Sequence, residues 1–307
     1  YRDAAPAIGS RPRLPAPVAG LASEPLPAAA DLAADCALPG GGERTARQRL
    51  DWFLANAACH YLRDRDVPGV DGTSRLSPHL RFGTLSPRQC IGAGLALAAA
   101  DRRAAAGAQK WVDELIWREF YIALLAAHPR VLGGAFRREF GGVRWNDDAA
   151  GFRAWCEGRT GYPFVDAAMR QLVQTGWMHN RARMIVASFL TKDLLIDWRR
   201  GERFFMRWLI DGDPASNNGG WQWAASTGTD AQPYFRIFNP VLQGEKFDPA
   251  GDYVRRYVPE LRGVPPRHLH QPWRAPAPPR DYPPPIVDHG ERRVAAVARY
   301  EAAKGAV

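Results

Sequence analysis

Between Asp211 and Trp223 the chain reads Asp-Gly-Asp-Pro-Ala-Ser-Asn-Asn-Gly-Gly-Trp-Gln-Trp. Two carboxylates, two adjacent amides, paired glycines and two indoles fall within a few turns of chain. Glycines let backbone approach a bound group closely, and flat rings beside them offer a stacking surface. A helical pattern runs into the segment, so the same residues also read as a Gly-Trp turn in a buried core.

Three other stretches could work with it. In Trp111-Val-Asp-Glu-Leu-Ile-Trp-Arg-Glu-Phe-Tyr121, helical spacing makes Glu114 and Arg118 neighbours, and likewise Trp117 and Tyr121. One helix face would then carry a carboxylate, a guanidinium and several rings, with a surface ion pair beside an aromatic stripe as the plainer alternative. In Gly176-Trp-Met-His-Asn-Arg-Ala-Arg-Met184, Asn180, Arg183 and Met184 share a face, and Arg181 points elsewhere. A buried arginine there needs a carboxylate, which Asp211 or Asp213 would supply. Thr73-Ser-Arg-Leu-Ser77 follows a Gly-containing turn and carries hydroxyls and a guanidinium able to bind a diphosphate.

The elements that must hold these residues are helical. Signals run from Glu43 to about Arg65, from Ser86-Pro87 (an N-cap with proline behind it) to about Ala106, and from about Lys110 to His128. They recur at Phe164–Thr175, His179–Leu194 and Glu202–Ile210, and again in a short terminal stretch, Glu291–Lys304. No segment alternates as a strand, and neither a P-loop nor a dinucleotide fingerprint is present. The expectation is an all-α fold over residues 43–307, behind an Ala/Pro-rich linker at 1–42 that ends in Pro39-Gly-Gly-Gly42.

Composition narrows the class. The 307 residues carry a formal charge of +9, nearly all of the positive charge from arginine, which suits bidentate contact with a polyanion. Cys36, Cys59, Cys90 and Cys156 are scattered with no C-x-x-C, arguing against a disulfide scaffold or zinc site and for a reduced, cytoplasmic setting. No apolar run is long enough to span a membrane. Eleven tryptophans is a high count. Trp145, Trp198 and Trp221 stand outside the helical stripes, as core fillers or as oxidisable rings near a redox cofactor.

Taken in order, these segments, together with Gly161–Arg170, Trp221-Gln-Trp-Ala-Ala-Ser-Thr-Gly-Thr-Asp230 and Gln243-Gly-Glu-Lys-Phe-Asp248, resemble the photolyase/cryptochrome family, in particular its class I cyclobutane-pyrimidine-dimer photolyases. The resemblance implies a helical FAD-binding domain. Tyr61, Thr73, Ser74, Arg75, Leu76, Ser77 and Trp111 would surround the phosphates and sugar chain of FAD. Asp211, Gly212 and Asp213 would lie along the ring system and adjoining chain, with Arg183 paired to Asp211 and Asn217 beside the flavin N5. Trp221, Trp198 and Trp145 match the relay that reduces the flavin from the protein surface. Trp117 and Trp223 would sandwich a lesion, Asn180 and Met184 would touch its bases and Glu114 its polar edge. Arg118 and Tyr121 belong to the same substrate face, and Arg65, Arg181 and Gln243 would hold the DNA backbone.

The implied activity is light-driven splitting of pyrimidine dimers in UV-damaged DNA by an electron from excited reduced FAD, in a monomer. The N-terminal α/β domain that holds an antenna pigment in class I relatives is expected to be absent, so an antenna is expected only where that domain is present. A cryptochrome photosensor is the alternative, but such proteins tend to carry an acid or a cysteine where this chain has Asn217. Repair of (6-4) lesions would call for two histidines at Asn180 and Met184. A non-catalytic DNA-binding module would have no use for the flavin-facing residues.

Overall fold

The computed structural model describes residues 38–231 and 233–304, with Gly20 and Pro25 besides. Most of the expected linker at 1–42 therefore lies outside the described residues. Among those described there is no strand, and the architecture is all-α. The helices are α1 (Gly42–Asn56), α2 (Tyr61–Asp64), α3 (Ser77–Arg81), α4 (Pro87–Ala100), α5 (Ala105–Ala127), α6 (Ala149–Cys156) and α7 (Pro163–Thr175). They continue with α8 (Asn180–Ser188), α9 (Trp198–Trp208), α10 (Pro214–Ala224), α11 (Pro240–Phe247), α12 (Asp252–Tyr257), α13 (Pro266–Leu269) and α14 (His289–Lys304).

Local chemistry sets several boundaries. Ser86 closes a capping box: its Oγ accepts from Arg88 N at 3.2 Å, and its own N donates to Gln89 Oε1 at 3.1 Å. Expected as one helix to Ala106, this stretch instead stops at Ala100, where Asp101 turns its carboxylate onto Arg103 N and lets α5 begin at Ala105. The single helix expected over 43–65 is likewise interrupted by a tight turn at Ala58–His60. Gly107 of α5 comes so close to this turn that a Cβ would sit 2.0 Å from the Ala58 oxygen. After α8 the backbone widens into a π-helical stretch at Phe189–Asp193.

Apolar side chains gather into two main cores. One joins α1, α4 and α5 through Leu50, Phe53, Ile91, Trp111, Val112 and Leu115. The larger one joins α6 to α10 and α12 through residues such as Trp155, Phe164, Met169, Leu172, Phe205 and Tyr253. Helix α10 bridges them, packing against α5, α8 and α9. The Asp211–Trp223 segment is thus mostly helix, with the paired Gly219 and Gly220 inside α10 and not in a turn. Asp213 is the reason the helix starts there, its Oδ1 accepting from Ser216 N at 2.8 Å with Pro214 at the first helical position.

Candidate functional site

The seam between the two cores opens into a cavity of about 590 Å³, within the roughly 300–1,000 Å³ of small-molecule sites. Tyr61, Leu76, Trp111 and Leu115 face it from the smaller core, and Ala187, Phe205, Leu209 and Trp221 from the larger. Its polar lining comes from the Thr73–Ser77, Trp111–Tyr121, Gly176–Met184 and Asp211–Trp223 segments, with Tyr61, Arg65, Arg81, Lys110 and Asp230 besides.

Along one side run Thr73, Ser74, Arg75, Leu76 and Ser77. Arg75 adopts a left-handed backbone (φ 51°), pairs with Asp71 at 3.0 Å and lies 5.1 Å from the centre of the Trp177 ring. Trp177 in turn donates Nε1–H to Ser77 Oγ at 3.3 Å. Arg49 fastens the whole loop by donating to the Thr73 and Ser74 carbonyls at 2.7 and 2.8 Å and to the Asp71 carboxylate, with Trp52 stacked 4.1 Å beneath it. Sequence reasoning missed Arg49, because a surface-facing arginine in α1 carries no local sign of a partner more than twenty residues away.

From α5 the cavity receives Trp111, Glu114, Trp117, Arg118 and Tyr121, together with Lys110, which was not anticipated. The expected Glu114–Arg118 pair does not form. Glu114 instead accepts from Arg65 Nη1 at 2.5 Å and Lys110 Nζ at 2.9 Å, whereas Arg118 pairs with Glu119 at 2.6 Å. Lys110 occupies the opposite i, i+4 position to Arg118, and α2 brings Arg65 across the cavity wall. Trp117 is 40% exposed at the mouth, edge-on to Phe120. Tyr121 packs flat enough on α10 that only a glycine fits at 219. Burial, and secondarily Asp230, pushes its hydroxyl up to about 12.

Helix α8 supplies Asn180, Arg183 and Met184. Asn180 Nδ2 lies 3.8 Å from Met184 Sδ, one turn along the same face. Arg183 meets Asp211 at 2.7 Å, the partner that the resemblance implied where spacing left Asp211 or Asp213 open. The expected partner is the right one because Asp213 is occupied in capping α10. The helix itself begins at His179, whose Nδ1 accepts from Arg181 N at 3.1 Å, and burial holds this imidazole down at about 3. Arg181 points away from the cavity, pairing with Asp66 at 2.9 Å over the Phe247 ring. Arg65 and Arg181, expected to grip a DNA backbone, are both tied into ion pairs within the protein.

Helix α10 and the turn before it contribute Asp211, Asp213, Ser216, Asn217, Gly220, Trp221 and Trp223 to the lining. Gly212 is not part of it; its carbonyl accepts from Arg81 Nε at 2.6 Å. Asn217 donates Nδ2–H to the Glu202 main-chain oxygen at 3.1 Å. A carbonyl can only accept, so the amide cannot be flipped, and its own oxygen is left for the cavity. Trp221 is buried with ring contacts to Phe205 at 5.0 Å and Trp155 at 6.0 Å. It sits over Gly201, where a Cβ would come within 2.2 Å of the indole. Trp198 lies buried one turn before that glycine, and Trp145 is half-buried against Tyr300 at 6.2 Å; neither lines the cavity, and nor does Gln243. Trp155, completely buried beside Trp221, was not picked out from the sequence.

Two orphaned polar atoms bear on what the cavity holds. Asp211 Oδ1, an acceptor, and Trp221 Nε1, a donor, are both buried without a hydrogen-bond partner in the protein. Buried polar atoms are normally satisfied; both belong to residues of the cavity lining. Six cations (Arg65, Arg75, Arg81, Lys110, Arg118, Arg183) against four carboxylates (Glu114, Asp211, Asp213, Asp230) leave the lining net positive, as a diphosphate requires. The donor set, the aromatic walls and the volume fit FAD.

Comparison with known proteins points the same way. A family model described as the FAD binding domain of DNA photolyase matches residues 111–302. The deoxyribodipyrimidine photo-lyase of Vibrio cholerae is 57% identical over 263 residues, covering 85% of this chain and 56% of the relative. That of Escherichia coli is 56% identical with the same coverage, and that of Salmonella typhimurium is 52% identical over 95% of this chain and 64% of its own. The chain thus spans between about half and two thirds of the length of these curated relatives. Among solved structures, a bacterial class III photolyase from Agrobacterium tumefaciens superposes with a TM-score of 0.82 at 48% identity, covering 86% of this chain and 56% of that one. A Synechocystis cryptochrome does so with a TM-score of 0.78 at 35% identity, covering 85% of this chain and 56% of that one.

Proposed function

The chain belongs to the photolyase/cryptochrome family, and from that footing we propose that residues 43–307 form the FAD-binding unit that repairs cyclobutane pyrimidine dimers in DNA under light. The observation that carries this reading is a single cavity with two characters. A hydroxyl- and cation-lined arm at Thr73–Ser77 continues into an aromatic mouth at Trp117, Tyr121 and Trp223, and Asn217 and Trp221 stand on its wall.

Tyr61, Thr73–Ser77, Trp111 and Arg183 would hold FAD. Bound in its reduced state, FAD supplies a photoexcitable one-electron donor. The protein's own part is to place and exclude. Trp117 and Trp223 receive an extruded dimer, which leaves the duplex more cheaply than intact bases because it stacks poorly. Asn180 and Met184 face its bases. Glu114, braced by Arg65 and Lys110, offers an oxygen to its N–H edge. Trp221 and Trp198 are buried in the larger core and Trp145 packs against it, which supports assigning the three to re-reduction from outside, with Trp155 beside Trp221.

For a DNA backbone, Arg65, Arg181 and Gln243 remain the candidates. The two arginines would have to exchange Glu114 and Asp66 for phosphates, which makes binding salt-dependent. We assign the class I type on the motifs that carry the resemblance, Asn217 and Trp221–Asp230 above all; the likeness to a class III structure at 48% identity is the competing reading. We further propose a monomer acting in the cytoplasm; among the described residues no helix is long and apolar enough to cross a membrane. No antenna pigment is assigned to residues 43–307. A photosensor reading is supported by the likeness to the Synechocystis cryptochrome, at a lower identity of 35%.

The deciding experiment loads the purified chain with FAD, reduces it chemically, and follows thymine dimers in an oligonucleotide under blue light and in the dark. Loss of dimers only under light is expected. Equal dimer content in both arms would overturn the proposal.

A further inference from the structure

Helix α10 presents two stripes, one turn long, side by side. Asn217 and Trp221 face the cavity, whereas Asn218 and Gln222 face away from it and are both 2% exposed. Two buried amides need a complete set of partners. They have one. Asn218 Nδ2 donates to Glu202 Oε1 at 2.9 Å and to the Val131 carbonyl at 3.2 Å. Gln222 Nε2 donates to Asn218 Oδ1 at 3.0 Å and to the Val131 and Gly134 carbonyls at 3.0 and 3.3 Å. Gln222 Oε1 accepts from Phe136 N at 2.8 Å.

The end of this chain is the same residue that Asn217 uses. Glu202 of α9 is gripped twice by neighbouring amides of α10: its main-chain oxygen by Asn217 and its carboxylate by Asn218. The main-chain oxygen decides which atom of the Asn217 amide is left for the cavity. An acceptor-only carbonyl draws Nδ2 and turns Oδ1 inward. The two amides therefore share Glu202 as a common anchor, one through its backbone and one through its side chain.

We propose that Asn218 and Gln222 are positioning residues that set the orientation of the Asn217 amide through their hold on Glu202, and thereby tune the redox behaviour of the bound flavin. The proposal rests on the reading that Asn217 faces the flavin. The loop 131–136 is the fixed point from which the tuning starts, because three of its carbonyls or amides terminate the network.

The test measures the flavin midpoint potential in FAD-loaded protein for Asn217→Ala, Asn218→Leu and the double variant, with FAD content and near-ultraviolet circular dichroism as controls for folding. Removing the inward Oδ1 by Asn217→Ala takes away an acceptor that favours the protonated, reduced ring, so the potential is expected to fall. Asn218→Leu is expected to shift it in the same direction, and the double variant no further than Asn217→Ala alone. Glu202→Ala, which keeps the main-chain oxygen but frees the side chain, should reproduce the Asn218→Leu shift and is scored in its place where that variant loses FAD. An unmoved potential in Asn218→Leu, or an equal shift with and without Asn217, overturns the positioning role. An unmoved potential in Asn217→Ala instead overturns the reading beneath it.

Discussion

The paired glycines of α10 look alike in sequence and sit in opposite surroundings, which makes them a quantitative probe of how the site is built. A Cβ on Gly219 would lie 2.1 Å from Tyr121 Cδ1, 2.3 Å from Cε1 and 2.9 Å from Cγ. Carbon atoms rest at about 3.5–4.0 Å, so the ring would have to retreat by more than an ångström. A Cβ on Gly220 meets nothing within 4 Å. Both substitutions gain the helical preference of alanine over glycine, about 1 kcal/mol each, and both lose glycine's extra freedom in the unfolded chain. Those contributions cancel in the difference between the two variants. What remains is the overpacking at Tyr121, about 1–3 kcal/mol. Unfolding by urea, without FAD, should therefore place Gly220→Ala above the parent and Gly219→Ala below Gly220→Ala by that margin. In a Tyr121→Ala background the gap should close, with Gly219→Ala now stabilising. Equal stabilities for the two alanine variants in the parent chain, or a gap that survives loss of the ring, would refute the packing argument.

Arg183→Ala removes the cation from the side chain of Asp211, only 2% exposed, and should cost about 3 kcal/mol in urea unfolding as well as FAD retention, with Arg183→Lys recovering part of both. His179 must stay unprotonated to cap α8 and is held at about 3 by burial, against about 6.5 when unfolded. Because the folded value is the lower one, its contribution is present above pH 6.5 and is lost as pH falls toward 3. His179→Asn, which keeps an acceptor for the cap, should flatten the stability profile between pH 6.5 and 4, and an unchanged slope there counts against this assignment. Trp117→Ala should weaken binding of a dimer-containing oligonucleotide by about 1–3 kcal/mol, roughly 5- to 150-fold. FAD content should be unchanged, since Trp117 stands 40% exposed at the mouth; parallel loss of FAD would show that the residue belongs to the cofactor arm.

What the sequence made legible was whatever chemistry is local or carried by a motif. Ser86, Pro87 and Gln89 announced α4 because a capping box is complete within four residues. Asn180 and Met184 shared a face because helical spacing dictates it. The choice of partners across space was less accessible. Glu114 had a guanidinium one turn away at Arg118, yet it pairs with Arg65, 49 residues distant, because α2 and α5 pack side by side. Arg49 behind the Thr73–Ser77 loop and Trp155 beside Trp221 were invisible for the same reason. The glycines of α10 misled in a more instructive way. A turn was one of two readings their conformational freedom allowed, whereas the cap at Asp213 and the packing against α5 and α9 draw them into a helix. Tertiary contact outweighs the roughly 1 kcal/mol penalty each glycine carries there.

Flavin and lesion must share one cavity for an electron to pass between them, and emission from the reduced flavin reports that proximity. With chain loaded and reduced, adding an oligonucleotide that carries a thymine dimer should quench the emission, and an undamaged strand of the same sequence should not. Emission indifferent to the dimer at concentrations where binding is complete would contradict the shared cavity.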